Sequence, residues 1–192
     1  MAIMIGTNTV SDLFVGANNV TELWLGTDLA FEKRQYVWTL FDSGQIEGIP
    51  WGRNKFPRTG GTGSVSSALE SVAMHAYCNA TGEATAKSNC HFNTSNPIEI
   101  PRTASTLCVS ARYLNGSTSI LFGMLPANAE NSQSTKNGGF LSGTLTLTSS
   151  YATYSINIPD ALKGAENMYI VINCIIKLDS RRDVYVRKVW FE

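Results

Sequence analysis

Apolar and polar residues alternate one by one along much of the chain from Gln35 onward. In Thr106–Tyr113 every second residue from Leu107 is apolar or aromatic, and the residues between them are mostly small or polar. Met168–Leu178 repeats this alternation and places Cys174 among aliphatic residues on one face. A period of two sends successive side chains to opposite faces of an extended strand. The pattern therefore predicts half-buried strands, with Cys174 as a core residue.

Strands predicted in this way recur at regular intervals, with turn-forming residues between them. They cover residues 36–41, 106–113, 120–125, 144–148, 153–158, 168–178 and 183–191. Asn115-Gly116 is a strong hairpin signal and predicts that 120–125 returns beside 106–113. Ser64–Tyr77 has mostly strand spacing, with a short helix over 67–73 as the alternative. Sustained helical spacing is absent from the sequence, which predicts an all-β protein with a jelly-roll-like antiparallel β-sandwich over residues 35–192.

A ten-residue phrase is repeated ahead of the predicted sandwich. Residues 6–15 read GTNTVSDLFV, residues 16–25 read GANNVTELWL, and Gly26 begins a third copy that soon diverges. Glycine with Thr-Asn or Ala-Asn favours a turn, and the apolar residues that follow favour a strand. The sequence therefore predicts an N-terminal β-hairpin repeat appendage over residues 1–34.

Each predicted repeat strand carries apolar residues on both of its faces. They are Val10, Leu13, Phe14 and Val15 in the first copy and Val20, Leu23, Trp24 and Leu25 in the second. A small hairpin cannot bury two apolar faces by itself. We therefore expect these residues to form an assembly interface, with one face against the sandwich and the other against another subunit.

The charge of the chain argues against a nucleic-acid partner. Fifteen basic and fifteen acidic residues give a net charge of zero, and charged residues make up 16% of the sequence. The densest basic group is Arg181-Arg182 with Arg187-Lys188, which we interpret as a solvated hairpin end, with phosphate binding as the alternative. The first residues lack a basic region and a long apolar run, so neither a secretory signal nor membrane insertion is expected.

The cysteines and histidines leave a metal site open as an alternative. His75 and Cys78 are followed by Cys90-His91, which together offer two thiols and two imidazoles. However, the two ligands of Cys90-His91 would point to opposite faces of a strand, and the chain has no Cys-x2-Cys motif. We therefore expect reduced thiols and ordinary sheet histidines, with no metal and no cofactor.

Catalytic motifs are hard to find. The sequence has no Gly-x-Ser-x-Gly nucleophile turn, and residues 60–63 lack the lysine of a phosphate-binding loop. The scattered glutamates show no pairing that the sequence could reveal. We expect no catalytic residues.

The repeat resembles N-terminal segments of small structural proteins of tailed bacteriophages, in which a similar phrase precedes a β-sandwich. The opening WTLFDSG at residues 38–44 and the closing strand around VRKVWFE at residues 186–192 are similar to jelly-roll domains of phage tail and fibre proteins. Related folds serve as carbohydrate-binding modules in glycoside hydrolases. This resemblance implies a non-enzymatic virion protein, made in the bacterial host cytoplasm, that assembles with other virion proteins and as a homo-oligomer, for instance a trimer. The sandwich would then be a fibre, tail-tip or capsid decoration, and host-surface glycans are its implied ligand.

A candidate glycan site lies in the Gly- and Pro-rich loop at residues 50–63. Trp51, Arg53, Asn54 and Phe56 combine aromatic rings with an amide and a guanidinium, the groups that stack on sugars and bond their hydroxyls. The alternative is that Trp51 folds back over the open edge of the core. Tyr151 and Tyr154 are a weaker candidate pair.

Three classes of function therefore remain. The main prediction is a virion structural protein, and the alternative is a stand-alone carbohydrate-binding module. A fragment of a secreted hydrolase is disfavoured because neither a secretory signal nor a catalytic site is found.

Overall fold

A computed structural model describes residues 4–5, 8–9, 13–15, 18–20, 22–25, 28–32, 39–42, 50–53, 65–69, 73–78, 87–129, 135, 138–177 and 182–192. For the strands up to residue 32 and for residues 53, 65–69, 78, 87–89 and 177, the description is of the backbone alone. The chain divides into two compact units, Met1–Tyr36 and Val37–Glu192. Each unit is described by itself below.

Within its described residues, the first unit has three two-stranded antiparallel sheets built from consecutive strands. The strands are β1 (Met4–Ile5), β2 (Asn8–Thr9), β3 (Leu13–Val15), β4 (Asn18–Val20), β5 (Glu22–Leu25) and β6 (Asp28–Glu32). Ile5 pairs with Asn8, Val15 with Asn18, and Leu25 with Asp28.

The repeat length explains this pairing. In each pair two residues, a glycine and its successor, lie between the partners in the sequence, which is the shortest hairpin connection. One ten-residue copy therefore supplies the second strand of one hairpin and the first strand of the next, rather than one turn and one strand. The third copy, although divergent, contributes the second strand of the longest of these hairpins.

The second unit is a β-sandwich of two antiparallel sheets, which confirms the expected all-β, jelly-roll-like fold. Its strands are β7 (Thr39–Asp42), β8 (Trp51–Arg53), β9 (Val65–Leu69), β10 (Met74–Cys78), β11 (Lys87–Thr94), β12 (Thr106–Leu114), β13 (Ser119–Pro126), β14 (Phe140–Leu141), β15 (Leu145–Thr146), β16 (Ala152–Asn157), β17 (Met168–Lys177) and β18 (Arg182–Phe191). A short 3-10 turn, Asp160–Leu162, precedes β17.

Sheet I has the order β16-β12-β18-β10-β9, with β7 also paired to β18. Sheet II has the order β14-β13-β17-β11-β8, with β15 also paired to β13. From β10 to β13, and again from β16 to β18, consecutive strands alternate between the two sheets. This crossing of the chain from sheet to sheet is characteristic of a jelly roll.

The Asn115-Gly116 turn does not form the predicted hairpin. Both residues have positive φ, 61° and 106°, as a tight turn requires. The strand expected at residues 120–125 exists as β13, but it pairs with β17 in sheet II while β12 lies in sheet I. The turn therefore carries the chain across the sandwich, because β12 already has β16 and β18 as its two neighbours. The helix alternative over residues 67–73 is also wrong in its first part, since Val65–Leu69 is a strand.

The core lies between the inward faces of the two sheets. Ile170, Ile172, Cys174 and Ile176 of β17 are fully buried, as their alternation predicts. Cys90, directly opposite Cys174 on β11, is also buried, and both are free thiols. Burial raises the pKa of Cys174 well above its usual value, and the nearby Cys90 adds to that rise. The thiol therefore stays protonated and behaves as an apolar core group.

Asn173 is the exception among the buried side chains of β17. It is 0% exposed, and neither Oδ1 nor Nδ2 has a hydrogen-bond partner among the residues that the structure describes. Its neighbours across the strands are His91 and Leu121. A buried amide with unsatisfied polar atoms destabilises the folded state.

We expect Asn173→Leu to raise the free energy of unfolding by about 1–3 kcal/mol, because it removes this desolvation cost with a side chain of similar size. Asn93→Leu is the matched control, since Asn93 is buried but its amide nitrogen donates to the Thr94 carbonyl at 2.9 Å. That variant should be destabilised. Urea unfolding followed by circular dichroism measures both. Equal destabilisation of the two variants would show that the Asn173 amide is satisfied in solution.

Candidate functional site

The two sheets differ in the exposure of their outer faces. On sheet II the outward residues Tyr169, Val171 and Asn173 of β17 are at most 5% exposed. On sheet I the outward residues include exposed or half-buried side chains along β16, β18 and β12. The outer face of sheet I, the face directed away from sheet II, is therefore the open surface on which we base the candidate site.

Among the described residues no helix is long or apolar enough to span a bilayer.

A β-bulge in β18 determines which side chains reach this outer face. Val186 pairs with Ala111 and Lys188 pairs with Ser110, so Arg187 is an extra residue between two neighbouring pairs. A bulge of this kind re-aims the side chains that follow it. As a result Arg187 and Lys188 both lie on the outer face, and Val189 returns to the core at 0% exposure.

This placement corrects the interpretation of the basic group as a solvated hairpin end. Arg187 and Lys188 lie within β18 (Arg182–Phe191), several residues after its start, and they contact aromatic rings of the sheet. Arg182 does lie at the beginning of the strand, where its Nη1 donates to the Ser117 carbonyl at 3.0 Å.

Four side chains form a continuous line across sheet I, which we call the aromatic row. Its members are Tyr151, Arg112, Tyr185 and His75. Arg112 is directly opposite Tyr185, which is directly opposite His75, so neighbouring strands supply the row in register. Side chains opposite each other on one face of a sheet are close enough to interact directly.

The guanidinium of Arg112 lies between two tyrosine rings. Its Cζ is 4.8 Å from the Tyr151 ring centre and 5.3 Å from that of Tyr185. On its other side Tyr185 stacks on His75 at 4.3 Å between ring centres, with 12° between the planes. Each cation–π contact contributes about 0.5–1 kcal/mol at a partly exposed site, so the row holds its members in fixed orientations.

A buried carboxylate anchors one end of this row. Asp183 is 0% exposed, and its Oδ1 lies 2.9 Å from His75 Nε2. Asn115 Nδ2 donates to Asp183 Oδ2 at 3.0 Å, which links the turn after β12 to the same carboxylate. Because a buried carboxylate needs such partners, the turn, β10 and β18 are fixed relative to one another.

Trp190 is the next residue of β18 after Arg187 and Lys188 whose side chain lies on the outer face. It is half-buried, its indole N–H donates to Glu192 Oε1 at 2.9 Å, and Lys188 Nζ is 5.4 Å from the ring centre. The same Lys188 Nζ is 3.1 Å from Asp42 Oδ2 on β7. Trp190 thus adds an aromatic ring to the outer face at a distance along the strand from the aromatic row.

The Cys108 thiol beside Trp190 is poorly suited to act as a nucleophile. Cys108 is directly opposite Trp190 on β12 and is buried. Burial raises the pKa of the Cys108 thiol, and the Glu192 carboxylate adds to that rise. A hydrogen bond between the thiol and the Thr106 hydroxyl, at 3.6 Å, lowers the pKa and offsets part of the rise. A thiol with a raised pKa is protonated at neutral pH and reacts slowly.

The predicted loop site differs from this arrangement. Trp51 is 5% exposed, its Nε1 donates to the Leu40 carbonyl at 2.8 Å, and its ring packs edge-on against Phe41. The alternative was therefore correct for Trp51, which is a core residue without an open ring face. The side chain of Arg53, together with Asn54 and Phe56, lies outside the described residues, so the rest of that site stays a prediction.

The other sequence candidates are placed as follows. Tyr151 is in the aromatic row, whereas Tyr154 packs against the core and its hydroxyl accepts a hydrogen bond from the Thr148 amide. The repeat residues Leu13, Phe14, Val15, Val20, Leu23, Trp24 and Leu25 are described by their backbone alone, and Val10 lies outside the described residues. Their side-chain interface therefore stays a prediction.

The histidines and cysteines of the alternative metal site are not brought together. His75 is on β10 in sheet I, and Cys90-His91 is on β11 in sheet II. Cys90 faces the core, while His75 contacts Asp183 on the outer face of sheet I. Where side chains are described, no group of three histidine, cysteine or acidic residues could hold a metal ion.

Sequence reasoning missed most of the aromatic row and Trp190. One signal was present: Val184, Val186, Val189 and Phe191 are spaced two, three and two apart, a break in alternation that indicates a bulge. The cross-strand register that joins residues 75, 112 and 185 has no counterpart in the sequence.

We expect Asp183→Ala to lower the free energy of unfolding by about 1–3 kcal/mol, because His75 and Asn115 lose their shared acceptor. The same substitution at Asp160, an exposed carboxylate paired with Lys163 at 2.7 Å, is the control and should cause no measurable change. Thermal and urea unfolding of the full chain measure both variants. An Asp183→Ala variant as stable as the wild type would show that the buried carboxylate does not anchor the row.

Three solved carbohydrate-binding modules are similar to this chain in fold. A family 11 module from Clostridium thermocellum, in complex with a β-1,3-1,4-mixed-linked tetrasaccharide, has a TM-score of 0.47 at 12% identity and covers 80% of this chain and 94% of its own. A family 29 module, a mutant of CBM29-2, has a TM-score of 0.45 at 12% identity and covers 80% of this chain and 89% of its own. A family 61 module in complex with β-1,4-galactotriose has a TM-score of 0.43 at 9% identity, with 78% and 90% covered. No family model matches the sequence, and no curated protein matches it.

Proposed function

We propose that this protein is a non-catalytic glycan-binding protein whose ligand lies on the outer face of sheet I. The observation that carries the proposal is the open sheet face on which Trp190 and the aromatic row occur together. Sugars present apolar C–H faces that pack on aromatic rings, and hydroxyls that bond polar side chains. Both kinds of group are present on this face at fixed positions.

Trp190 and the aromatic row are suited to different parts of a sugar. Within the row, Tyr185 and His75 stack face to face, so each covers one ring face of the other. The row therefore offers guanidinium N–H groups and hydroxyls more readily than flat ring faces. Trp190 lies apart from the row and is the better platform for the apolar face of a sugar ring.

The described polar groups of this face favour binding over catalysis. The Asp183 carboxylate is buried and already accepts from Asn115, and the Cys108 thiol is kept protonated by burial. General acid–base chemistry needs a titratable group that reaches the substrate. Neither group is exposed to a ligand on the outer face.

A second proposal concerns the first unit. We propose that the repeat hairpins attach the protein to the virion of a tailed bacteriophage and to other copies of itself. The supporting observation is that the repeat builds three successive hairpins in a compact unit of its own. A series of separate two-stranded hairpins needs a partner surface to be stable. The two proposals are compatible, since an attached sandwich can present its outer face to glycans.

We expect Trp190→Ala to weaken glycan binding by about tenfold or more, because an aromatic contact contributes roughly 0.5–1.5 kcal/mol beyond area burial and 1.4 kcal/mol is a factor of ten. A glycan array identifies the ligand, and isothermal titration calorimetry measures its affinity. Phe140→Ala, which removes a half-buried ring from β14 in sheet II, is the control and should bind normally. Unchanged affinity in a folded Trp190→Ala variant would contradict the proposed site.

The attachment proposal predicts that Phe14→Ser combined with Trp24→Ser dissociates the homo-oligomer and leaves the sandwich folded. Light scattering after size-exclusion chromatography gives the mass, and circular dichroism gives the fold. Leu114→Ser, which removes an exposed apolar side chain from the second unit, is the control and should not change the mass. Normal assembly of the double variant would rule out this role for the repeats.

A further inference from the structure

We propose that the glycan bound by the outer face of sheet I is acidic, and that Arg112 and Arg187 together bind a carboxylate of its sugar units, such as that of a uronic acid. This inference rests on the proposed glycan-binding function and adds the chemical class of the ligand.

Arg112 and Arg187 converge on the same ring. Arg112 Cζ is 4.8 Å and Arg187 Cζ is 5.1 Å from the centre of the Tyr151 ring, so the two guanidinium groups are less than about 10 Å apart. Arginine stays protonated at any physiological pH, so this closeness brings together two permanent positive charges. An anion that contacts both guanidinium groups offsets their mutual repulsion.

Neither arginine has a carboxylate partner within the described parts of the chain. The ion pairs there involve His75 with Asp183, Arg102 with Glu99, Lys163 with Asp160, and Lys188 with Asp42. Moreover, Arg112 Nε is buried and has no hydrogen-bond partner among the described residues. Arg112 and Arg187 are therefore two cations of one open face that lack an ion-pair partner there.

The nearby acids are already engaged in other contacts. Asp42 is 3.1 Å from Lys188, Asp183 is 0% exposed beneath the row, and Glu192 accepts the indole N–H of Trp190. In the described parts of the chain, none of these carboxylates forms an ion pair with Arg112 or Arg187.

The geometry of Arg112 suits a planar anion. Its guanidinium lies between the Tyr151 and Tyr185 rings, which restricts its orientation before any ligand arrives. A guanidinium held in this way donates two parallel hydrogen bonds to a carboxylate at a low entropic cost. Arg187 is exposed at the bulge and can approach the same carboxylate from solvent.

A sugar acid accounts for the features of the face together. Its carboxylate matches the arginine pair, its hydroxyls match the tyrosine hydroxyls of the row, and its apolar face matches Trp190. A nucleic acid also carries anions, but it is favoured by basic stripes along a surface. In the described part of this face, the two arginines without an ion-pair partner both lie beside Tyr151 rather than along a stripe.

The test compares acidic polysaccharides with their own neutral forms. Polygalacturonate, alginate and hyaluronan are immobilised beside carboxyl-reduced samples of each, which keep the linkage and the chain length but lose the charge. Biolayer interferometry with the full chain measures the affinities at physiological salt. We expect at least one acidic polymer to bind tenfold or more tightly than its reduced form.

Charge-neutral variants locate the effect. Arg187→Gln should weaken binding of that acidic polymer by about tenfold and leave binding of its reduced form unchanged. Arg112→Gln should weaken binding of the acidic polymer more than binding of the reduced form, since the Arg112 guanidinium also belongs to the aromatic row. Arg102→Gln is the matched control, since it removes the same charge from an exposed side chain that precedes β12. Arg187→Lys should recover part of the affinity, because it restores the charge without the planar fork. If Arg112→Gln fails to fold, Arg187→Gln carries the test, since Arg187 is exposed.

The outcomes separate the two proposals. Equal binding of acidic and reduced polymers, binding of neutral glycans alone, or an equal loss in Arg102→Gln would overturn the acidic ligand while glycan binding stands. Tighter binding to an oligothymidylate probe than to every polyuronate would also overturn it. Failure to bind any acidic or neutral glycan, on these sensors and on a glycan array, would overturn the proposed function itself.

Discussion

The sandwich depends on the packing of the two central strands, β17 and β18, whose inward faces close the core between the sheets. Ile170, Ile172 and Ile176 on one strand and Val184 and Val186 on the other are 0% exposed. Full burial of an aliphatic side chain contributes about 1.5–3 kcal/mol. Because only alternate residues are needed for this packing, the residues between them are free to carry polar chemistry. The outer face of sheet I is built from those intervening positions, so the site exists as a by-product of the alternation that makes the core.

The same alternation explains which parts of the fold the sequence could predict. Residues 106–113 and 168–178 were recognisable as strands because burial of one face requires an apolar residue at every second position. The pairing of strands imposes no such pattern on the sequence. Asn115-Gly116 has the local chemistry of a hairpin, but the neighbours of β12 are determined by β16 and β18, which lie far away in the chain. Lys87–Thr94 was not among the predicted strand ranges, although Cys90-His91 was expected to lie in a sheet, because its buried positions include Asn93 and His91 as well as apolar residues.

The candidate site was harder to predict than the fold, and for a physical reason. Composition drew attention to Trp51, since a tryptophan in a loop rich in glycine and proline has the groups of a sugar site. Its indole N–H instead satisfies a backbone carbonyl inside the core. The aromatic row is an outcome of register, because His75, Arg112 and Tyr185 become neighbours only when β10, β12 and β18 align. The one-residue bulge at Arg187 then places the side chains of both Arg187 and Lys188 on the outer face of sheet I.

The aromatic row would also link binding of the proposed ligand to the integrity of the whole sheet. Its four side chains come from separate segments of the chain, so an unfolded chain or a partly opened sheet holds no version of the site. A ligand that binds only the folded form stabilises that form by an amount that grows with the logarithm of the ligand concentration above Kd. Occupancy would therefore protect the amides of β10, β12 and β18 from hydrogen exchange as one cooperative block, including positions that no ligand touches. A contact at the surface of the row would therefore stabilise the whole of sheet I.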